Sequence, residues 1–214
     1  MAMHIADIRK EYRLETLDES QVSSDPIEQF GFWWKEALKS EIDEVNAMTL
    51  ATATADAVPA ARIVLLKGFD RKGFVFFTNY ESNTAADLEM NPRASLVFFW
   101  KELERQVRIS GTVEKVSEEE SDHYFSSRPK GSRIGAWASP QSSVISSRDI
   151  IEEKVAALAQ SFEGKEIPRP LHWGGYRVIP LQIEFWQGRS SRLHDRIQYT
   201  SQPDGSWKIV RLAP

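Results

Sequence analysis

The sequence predicts a mainly β fold with inserted helices, of the α+β class, arranged as a small β-barrel. Strand-like segments follow one another closely between residues 48 and 113 and again after residue 173. Such close succession is typical of antiparallel strands. Helix-like segments are inserted between these groups of strands.

Residues 1–24 form a polar segment that we expect to be flexible, with a short helix around Ile5–Tyr12. A well-marked helix start follows, because Asp25 is a good N-cap and Pro26 suits the first helical position. Apolar residues then recur at helical spacing as far as Ile42. This pattern predicts a helix from residue 26 to about residue 42.

The region that follows is predicted to be rich in strands, because β-branched and aromatic runs are separated by turns. Asp70–Gly73 has the composition of a hairpin turn. Ser82 is the expected N-cap of a short helix that ends at Met90. The predicted strands are Met48–Thr54, Ala61–Gly68, Gly73–Thr78, Ala94–Trp100 and an alternating strand around Val107–Val113.

The rest of the chain is predicted to contain two helices followed by strands. The helices run from Ser117 to Phe125 and from Ser147 to Phe162, the second with apolar residues at helical spacing. Pro203-Asp204-Gly205 is the turn of the last hairpin. The C-terminal strands are expected at residues 176–179, 182–186, 197–200 and 207–210.

Composition excludes several kinds of site. The chain has 214 residues, 41% hydrophobic and 27% charged, which is typical of a globular protein, and we expect one domain over residues 1–214. A net charge of -4 argues against general nucleic-acid binding. The absence of cysteine excludes disulfides and thiolate catalysis. The four histidines lack metal-ligand spacing, so no metal site is predicted.

Targeting signals are not evident in this sequence. Residues 1–13 carry charges throughout and lack the apolar core of a signal peptide. No apolar run approaches the length of a membrane span. We therefore expect a cytoplasmic protein.

One candidate site lies in the segment Arg192-Leu193-His194-Asp195-Arg196. If the segment is extended, side chains alternate between faces, so Arg192, His194 and Arg196 share one face. Two guanidiniums and an imidazole suit an anionic ligand that also needs proton handling. The alternative is a solvated edge strand in which Asp195 neutralises a neighbouring cation.

A second candidate lies between Arg62 and Lys67, which bracket four apolar residues. These two cations would anchor anionic groups. Their odd spacing places them on opposite faces of a straight strand, so serving one site requires a bulge or a ligand that meets both strand ends. The alternative is a core strand with charged ends.

A third candidate combines Tyr124, Arg128 and Ser132, which are spaced four residues apart. Because Pro129 breaks the helix near Arg128, we expect the three to line a helix-to-loop corner. A phenol, a guanidinium and a hydroxyl suit a phosphate monoester. The alternative is a capped helix end. Neutral hydrogen-bonding side chains for a heterocycle are Gln106, Gln141 and Ser142, unless the last two only cap the next helix.

Several motifs stand in order along the chain. RLHDR at residues 192–196 follows FWQG at 185–188. The other motifs are RIVLLK at 62–67, FTN at 77–79, ERQV at 104–107, YFSSRP at 124–129, IGAW at 134–137, QSS at 141–143, WGG at 173–175 and the terminal RLAP. Together they resemble the pyridoxine/pyridoxamine 5′-phosphate oxidase family, and RLHDR after FWQG is the most specific of them. The resemblance covers the chain from about Ile5 to Pro214.

The resemblance implies a fold, a cofactor and a reaction. Members of this family are FMN-dependent homodimers with a split β-barrel and the flavin at the subunit interface. They oxidise pyridoxine or pyridoxamine 5′-phosphate to pyridoxal 5′-phosphate, and O2 leaves as H2O2. It also implies that residues 171–214 form a region for dimerisation and substrate binding. An alternative is a non-catalytic split-barrel protein that binds pyridoxal 5′-phosphate or a flavin.

The resemblance also implies which residues act. Arg192 and His194 are the expected catalytic pair, orienting the substrate and handling protons. The expected FMN contacts are Arg62, Ile63, Val64, Leu65, Leu66, Lys67, Phe77, Thr78, Gln106, Gln141, Ser142, Trp186 and Arg196. The expected substrate contacts are Arg9, Tyr12, Lys67, Tyr124, Arg128, Ser132, Arg192 and His194.

One triplet departs from the family pattern. After FTN the family usually has Ser-Arg-Lys, whose cations meet the flavin phosphate. Here the triplet is Ser82-Asn83-Thr84, so both cations are missing. We therefore expect weaker FMN binding than in relatives that have the Arg-Lys pair.

Overall fold

The computed structural model describes residues 4–7 and 10–214. Within these residues five α-helices and nine strands follow one another along the chain. The helices are α1 (Pro26–Lys39), α2 (Asn83–Met90), α3 (Glu118–Ser127), α4 (Lys130–Ala138) and α5 (Asp149–Ser161). The strands are β1 (Ala47–Ala53), β2 (Pro59–Leu65), β3 (Gly68–Asp70), β4 (Gly73–Asn79), β5 (Arg93–Trp100), β6 (Arg105–Lys115), β7 (Trp173–Gln187), β8 (Asp195–Ser201) and β9 (Trp207–Arg211).

The strands form one sheet in the order β2-β1-β5-β6-β7-β4-β3, with β8 pairing with β7 and β9 with β8. The chain groups into two compact units. The first unit contains residues up to 50, 95–111 and 180–214, and the second contains residues 51–94 and 112–179. None of the helices in the described residues is long and apolar enough to cross a membrane.

In the second unit a hairpin positions strand β4. Asp70 accepts hydrogen bonds from the backbone amides of Lys72 (2.8 Å) and Gly73 (3.2 Å), which closes the predicted turn. Gly73 has φ 137°, and a Cβ there would lie 2.1 Å from the carbonyl oxygen of Val178. Strand β4 can therefore pair closely with β7, antiparallel from Phe74 opposite Val178 to Asn79 opposite Trp173.

Helices α3, α4 and α5 of the second unit pack around a small apolar cluster. Phe125 of α3, Ile134 of α4, Ile167 and Trp173 are its buried members. Phe77 and Tyr124 pack against it and are partly buried. Burial of these side chains fixes the ends of α3 and α4 beside strand β4.

In the first unit α1 buries one aromatic face. Phe30 lies 5.3 Å from Phe98, and Trp33 meets Phe185 edge to face at 5.2 Å, measured between ring centroids. Strand β7 pairs with β8 from Gln182 opposite Thr200 to Gln187 opposite Asp195. The final hairpin β8–β9 confirms the predicted turn at residues 203–205.

The described part of the N-terminal segment also belongs to this unit. Leu17 is buried, and its backbone amide donates to Asp195 at 3.1 Å. The amides of Arg13 (2.7 Å) and Leu14 (3.1 Å) donate to the carboxylate of Glu104. Two carboxylates that lie far away in the sequence thus bind this segment along its length.

Three predicted boundaries were wrong. Helix α1 ends at Lys39 and not near Ile42, because Ser40 has extended dihedrals and its hydroxyl donates to the carbonyl of Glu36. The predicted strand 61–68 is two strands, because the chain turns at buried Leu66 and the amide of Lys67 donates to Val75.

The predicted strands 176–179 and 182–186 are one strand, β7. Pro180, which cannot donate to a ladder, lies between the two predicted segments. Pro180 falls between the last pair with β4, at Val178, and the first pair with β8, at Gln182. Pro180 therefore lies outside the ladders that β7 forms with β4 and β8.

Candidate active site

The second unit contains a cavity of about 460 Å³, here named the Arg128 cavity. Its size is typical of small-molecule sites. Arg62, Lys67 and Arg128 bring three cations to it, and the described residues that line it include no carboxylate. Its lining residues are Arg62, Ile63, Val64, Leu65, Lys67, Phe77, Thr78, Tyr124, Ser127, Arg128, Pro129, Ser132, Gln141 and Trp173.

The break between β2 and β3 brings Arg62 and Lys67 to the same cavity. Both residues line it, although their odd spacing would separate them on a straight strand. Leu66, between them, turns its side chain into the core and is only 5% exposed. Because β2 ends at Leu65, the two cations are not held on opposite faces of one straight strand.

Three stacked aromatic rings form one wall of the Arg128 cavity. Phe77 and Tyr124 lie 4.1 Å apart with 24° between their planes, and Phe77 and Trp173 lie 5.4 Å apart with 11° between theirs. Gly175 permits this stack, because a Cβ there would come within 2.7 Å of the Phe77 ring. The stack gives the cationic cavity a flat apolar wall.

Arg128 is the central cation of this cavity. Helix α3 ends at Ser127, as the proline predicted, and the extended backbone of Arg128 directs it away from the helix. Its guanidinium lies 4.5 Å from the Trp173 ring centroid, and its Nη1 atom is buried without a hydrogen-bond partner among the residues that the structure describes. Burial lowers the pKa of Arg128, an effect that Tyr124 partly offsets. A buried donor without a partner fits an anionic ligand.

Ser132 lies in helix α4 and not in the predicted loop. The sequence disfavoured a helix here because Gly131 and Gly135 lower helix propensity. Burial of Ile134 against the apolar cluster overrides that preference. Ser132 still lines the Arg128 cavity, so the expected grouping with Tyr124 and Arg128 occurs.

The start of α2 carries the departure from the family triplet. The hydroxyl of Ser82 caps the helix by accepting from the amide of Ala85 at 3.3 Å, as predicted. The amide of Asn83 donates to the hydroxyl of Ser142 at 3.3 Å. Ser142 therefore contacts the N-terminus of α2 and is not among the lining residues of the Arg128 cavity.

The first unit contains a separate cavity of about 620 Å³, here named the His194 cavity. Its cations are Lys10, Arg189 and Arg192. The one carboxylate among its described lining residues, Glu11, forms an ion pair with Arg13. The lining residues are Lys10, Glu11, Tyr12, Arg189, Ser191, Arg192 and His194.

His194 is held by two aromatic rings and a backbone amide. Its ring centroid lies 4.5 Å from Trp186 and 6.0 Å from Tyr12. Its Nδ1 atom accepts a hydrogen bond of 3.1 Å from the backbone amide of Arg189. Burial, together with the neighbouring Arg192, lowers the pKa of His194, while Asp195 acts in the opposite direction.

The predicted extended geometry of residues 192–196 was wrong. Residues 190–192 form a 3-10 turn in which Ser191 (φ 56°) and Arg192 (φ 63°) are left-handed. The amide of Leu193 closes the turn by donating to Ser190 at 3.1 Å. Arg192 and His194 nevertheless line one cavity, whereas Arg196 is separated from them.

Asp195 and Arg196, the first residues of strand β8, each form ion pairs with other residues. Arg196 donates twice to the buried carboxylate of Glu184, at 2.9 and 3.1 Å. Asp195 accepts from the guanidiniums of Arg189 and Arg211, each at 2.9 Å. Asp195 thus neutralises neighbouring cations, as the alternative interpretation of this segment proposed.

The predicted site residues therefore fall into two groups. The His194 cavity groups Tyr12, Arg192 and His194, and Trp186 packs against Tyr12 and His194. The Arg128 cavity groups Arg62, Ile63, Val64, Leu65, Lys67, Phe77, Thr78, Tyr124, Arg128, Ser132 and Gln141. Arg9 lies outside the described residues. The predicted residues that line neither cavity are Leu66, Gln106, Ser142, Trp186 and Arg196.

Sequence reasoning missed several lining residues. Trp173 was noted only as part of a motif, although it stacks in the Arg128 cavity. Lys10, Glu11 and Arg189 were not proposed for the His194 cavity. The available signal was their proximity in sequence to Tyr12 and to the FWQG motif.

Comparisons with known proteins identify the family of this chain. Residues 34–162 match the family model described as pyridoxamine 5′-phosphate oxidase. Residues 173–214 match a model described as pyridoxine 5′-phosphate oxidase C-terminal dimerisation region. The chain is 60% identical to the pyridoxine/pyridoxamine 5′-phosphate oxidase of Trichormus variabilis, over 98% of both chains. It is 58% identical to that of Cupriavidus pinatubonensis, over 98% of this chain and 99% of the relative.

Solved structures show the same fold. The structure of PhzG from Burkholderia lata in complex with tetrahydrophenazine-1-carboxylic acid matches with a TM-score of 0.88 and 30% identity, covering 94% of this chain and 99% of PhzG. A pyridoxamine 5′-phosphate oxidase-related, FMN binding protein from Nostoc punctiforme matches with a TM-score of 0.71 and 16% identity, covering 89% and 98%. The fold is the predicted split β-barrel, and the chain belongs to the pyridoxine/pyridoxamine 5′-phosphate oxidase family.

Proposed function

We propose that this protein is an FMN-dependent oxidase of pyridoxamine or pyridoxine 5′-phosphate. The product is pyridoxal 5′-phosphate, O2 is reduced to H2O2, and the amine substrate also releases ammonia. The observation that carries the proposal is the Arg128 cavity, where a buried guanidinium atom without a partner faces a site lined by two further cations. Relatives that are about 60% identical and named for this activity support it.

The Arg128 cavity has the chemistry that a flavin phosphate and a substrate phosphate require. Its cations are balanced by no carboxylate among the described lining residues, and its aromatic wall suits a planar ring. We propose that residues 62–67, Phe77, Thr78 and Gln141 hold FMN. FMN supplies the two-electron acceptor when it is bound. Further proposed FMN contacts are Gln106, Ser142, Trp186 and Arg196.

The substrate phosphate is proposed to bind Lys67, Tyr124, Arg128 and Ser132. Lys67 lies 5.8 Å from the Tyr124 ring centroid, so the ammonium and the phenol are close enough to meet one phosphate. Arg128 supplies a planar pair of donors that matches phosphate geometry. The phosphate would satisfy the buried Nη1 atom.

The reacting end of the substrate is assigned to Arg192 and His194. Tyr12 packs edge to face on Trp186 at 5.8 Å and lines the same cavity as both residues. These side chains bind and orient the substrate, and the rings exclude water from its reacting carbon. Arg9 belongs to the same proposal by family resemblance.

The protein is proposed to be a cytoplasmic homodimer with FMN at the subunit interface. The match of residues 173–214 to a dimerisation region supports the dimer, and the proposed region is 171–214. Exposed apolar side chains on the sheet also favour a partner, since Ile63 is 61% and Phe99 is 54% exposed. We further propose one split-barrel domain over residues 1–214.

A non-catalytic protein that binds pyridoxal 5′-phosphate or flavin is the second candidate. Asn83 and Thr84 at the start of α2 favour it, because they lack the charge that the family usually places there. The two candidates differ in turnover and not in fold. One experiment therefore separates them.

The test is anaerobic bleaching of the FMN-loaded protein. Under nitrogen, pyridoxamine 5′-phosphate should abolish the yellow colour, and air should restore it with one H2O2 per turnover. Pyridoxine 5′-phosphate should be tested in parallel. A protein saturated with FMN that bleaches with neither substrate would support the non-catalytic alternative.

The phosphate assignment is tested by Arg128→Ala. Losing one charge-assisted hydrogen bond costs about 1.5–3 kcal/mol, or roughly one to two decades in affinity. Affinity for pyridoxine 5′-phosphate should fall by that factor, with little change for unphosphorylated pyridoxine. Arg148→Ala is the matched control, because Arg148 is an exposed residue that pairs with Glu152. Equal losses for both compounds would indicate a structural role.

The assignment at the reacting end is tested by Arg192→Leu. This exposed residue lines the His194 cavity, so its removal should leave the fold and the Arg128 cavity intact. We expect kcat/KM to fall strongly while FMN stays bound. A variant with the kcat/KM of the wild type would contradict the assignment.

A further inference from the structure

We propose that His194 acts as a neutral hydrogen-bond donor through Nε2 and does not act as a general base. This inference rests on the proposed function, because it assigns a role to His194 at the substrate. It also makes a statement about the free protein that can be measured without turnover.

The tautomer follows from the hydrogen bond at Nδ1. A backbone amide is only a donor, and that of Arg189 donates to Nδ1 at 3.1 Å. Neutral imidazole has one protonated nitrogen and one with a free lone pair. Since Nδ1 uses its lone pair to accept, the proton must lie on Nε2.

The surroundings of the ring oppose the other arrangement. Rotating the ring by 180° would place a carbon opposite the amide of Arg189 and lose the hydrogen bond. Trp186, 4.5 Å away, and Tyr12, 6.0 Å away, restrict the ring on its sides. The local packing therefore favours the orientation in which Nδ1 accepts.

The charges around the ring oppose protonation. Lys10, Arg189 and Arg192 line the same cavity, together with Glu11 and Tyr12. An imidazolium would add another cation and direct an Nδ1–H at the amide N–H of Arg189. The carboxylate of Asp195 acts in the opposite direction. It already accepts from Arg189, Arg211 and the amide of Leu17.

A neutral Nε2–H tautomer has no lone pair to offer the substrate. Nδ1 is occupied by Arg189, and Nε2 carries the proton. His194 can thus donate a hydrogen bond to an acceptor atom of the substrate. The proton that the substrate loses on oxidation goes to water or to another group of the cavity.

The first test is 15N NMR of protein labelled at histidine. The chain has four histidines, so the His194 signals are assigned by their loss in His194→Gln. At neutral pH we expect Nε2 to show the shift of a protonated nitrogen and Nδ1 that of an unprotonated acceptor. A proton on Nδ1, or on both nitrogens, would overturn the inference.

The second test compares two amide variants with the wild type. The amide nitrogen of glutamine is separated from Cβ by the same number of bonds as Nε2 of histidine. The amide nitrogen of asparagine is separated from Cβ by the same number of bonds as Nδ1 of histidine. Neither amide is a base at neutral pH. If His194 is a donor, His194→Gln should lose no more than about tenfold in kcat/KM, and His194→Asn should lose clearly more.

A general base would give a different pattern. Its loss costs about 10²–10⁴-fold, and both amide variants would lose it equally. Equal losses of that size, in variants whose circular dichroism matches the wild type, would overturn the donor role. If the wild type oxidises neither substrate, the proposed function fails, and the NMR measurement still decides the tautomer.

Discussion

Replacing Glu104 by glutamine should loosen the N-terminal segment from its unit. Glu104 is buried and has a left-handed backbone, with φ 55°. Its carboxylate accepts from the amides of Arg13 at 2.7 Å and Leu14 at 3.1 Å. Its own carbonyl accepts from the amide of Gly188 at 2.7 Å. One residue therefore links the N-terminal segment to the FWQG motif.

The size of the effect follows from the two amide bonds. A hydrogen bond to a charged group contributes about 1.5–3 kcal/mol, and one between neutral groups about 0.5–1.5 kcal/mol. Glutamine keeps an acceptor oxygen of the same shape but loses the charge. Each hydrogen bond should therefore weaken by about 1–1.5 kcal/mol, the difference between the charged and the neutral contribution. The pair with Lys10, which is 60% exposed, adds little. The segment should therefore lose about 2–3 kcal/mol of docking free energy in Glu104→Gln.

Native-state hydrogen exchange measures this change directly. The amides of Arg13 and Leu14 should exchange roughly 30- to 150-fold faster, because 1.4 kcal/mol corresponds to tenfold. The amide of buried Val178, in the other unit, should keep its rate. Glu102→Gln is the matched control, because Glu102 lies on the same turn but is exposed.

Kinetics provide a second measurement on the same variant. Tyr12 lies next to Arg13 and packs on Trp186 and His194, so a loosened segment should raise KM. Unchanged exchange at Arg13 and Leu14 would refute the reasoning, since it would mean that the carboxylate does not hold the segment. Equally faster exchange at Val178 would indicate general destabilisation instead.

Three further predictions concern a glycine, a buried carboxylate and the start of α2. Gly188→Ala should displace Tyr12 and lower kcat/KM, because the added Cβ would lie 2.7 Å from the Tyr12 ring. Gly68→Ala is the control, because a Cβ at Gly68 would meet no atom within 4 Å. Equal kcat/KM values in the two variants would contradict the prediction. Burial alone would raise the pKa of Asp195, but hydrogen bonds from Leu17, Arg189 and Arg211 outweigh it and lower the pKa. The Asp195 carboxylate therefore contributes its full stabilisation above the ordinary aspartate pKa, and this contribution is lost as pH falls through the lowered pKa. The free energies of unfolding of wild type and Asp195→Asn, measured in urea, should therefore converge in acid. A difference between them that does not change with pH would exclude this reasoning. The double variant Asn83→Arg, Thr84→Lys should bind FMN more tightly in a fluorescence titration. The gain in binding free energy is at most about 3–6 kcal/mol, for two charge-assisted hydrogen bonds. An unchanged Kd for FMN would mean that the flavin phosphate binds elsewhere.

Much of the local structure could be predicted because its causes lie within a few residues. Asp25 and Pro26 determine the start of α1, Ser82 caps α2, and Pro129 ends α3 after Ser127. The final turn follows from Pro203-Asp204-Gly205 in the same way. Caps, prolines and turn residues act on the backbone at or next to their own position. The neighbouring residues in the sequence are therefore sufficient to locate these helix ends and turns.

The sequence by itself also determined the family, through motifs whose order and spacing occur together. It grouped Tyr124, Arg128 and Ser132, and it identified Arg62 and Lys67 as candidate anchors for anionic groups. It did not predict helix α4, because two glycines disfavour a helix that burial of Ile134 stabilises. Local propensity is weak compared with the free energy of burying an apolar side chain.

Only the tertiary structure decided the details of both cavities. Ser191 and Arg192 form a left-handed turn, and Glu184 binds Arg196, which does not line the His194 cavity. Trp173 reaches the Arg128 cavity because strand pairing places it beside Asn79 and so next to Phe77. These contacts join residues that are distant in sequence, so their geometry depends on how strands pair and pack. No short pattern of residues specifies that geometry, which is why it had to be observed.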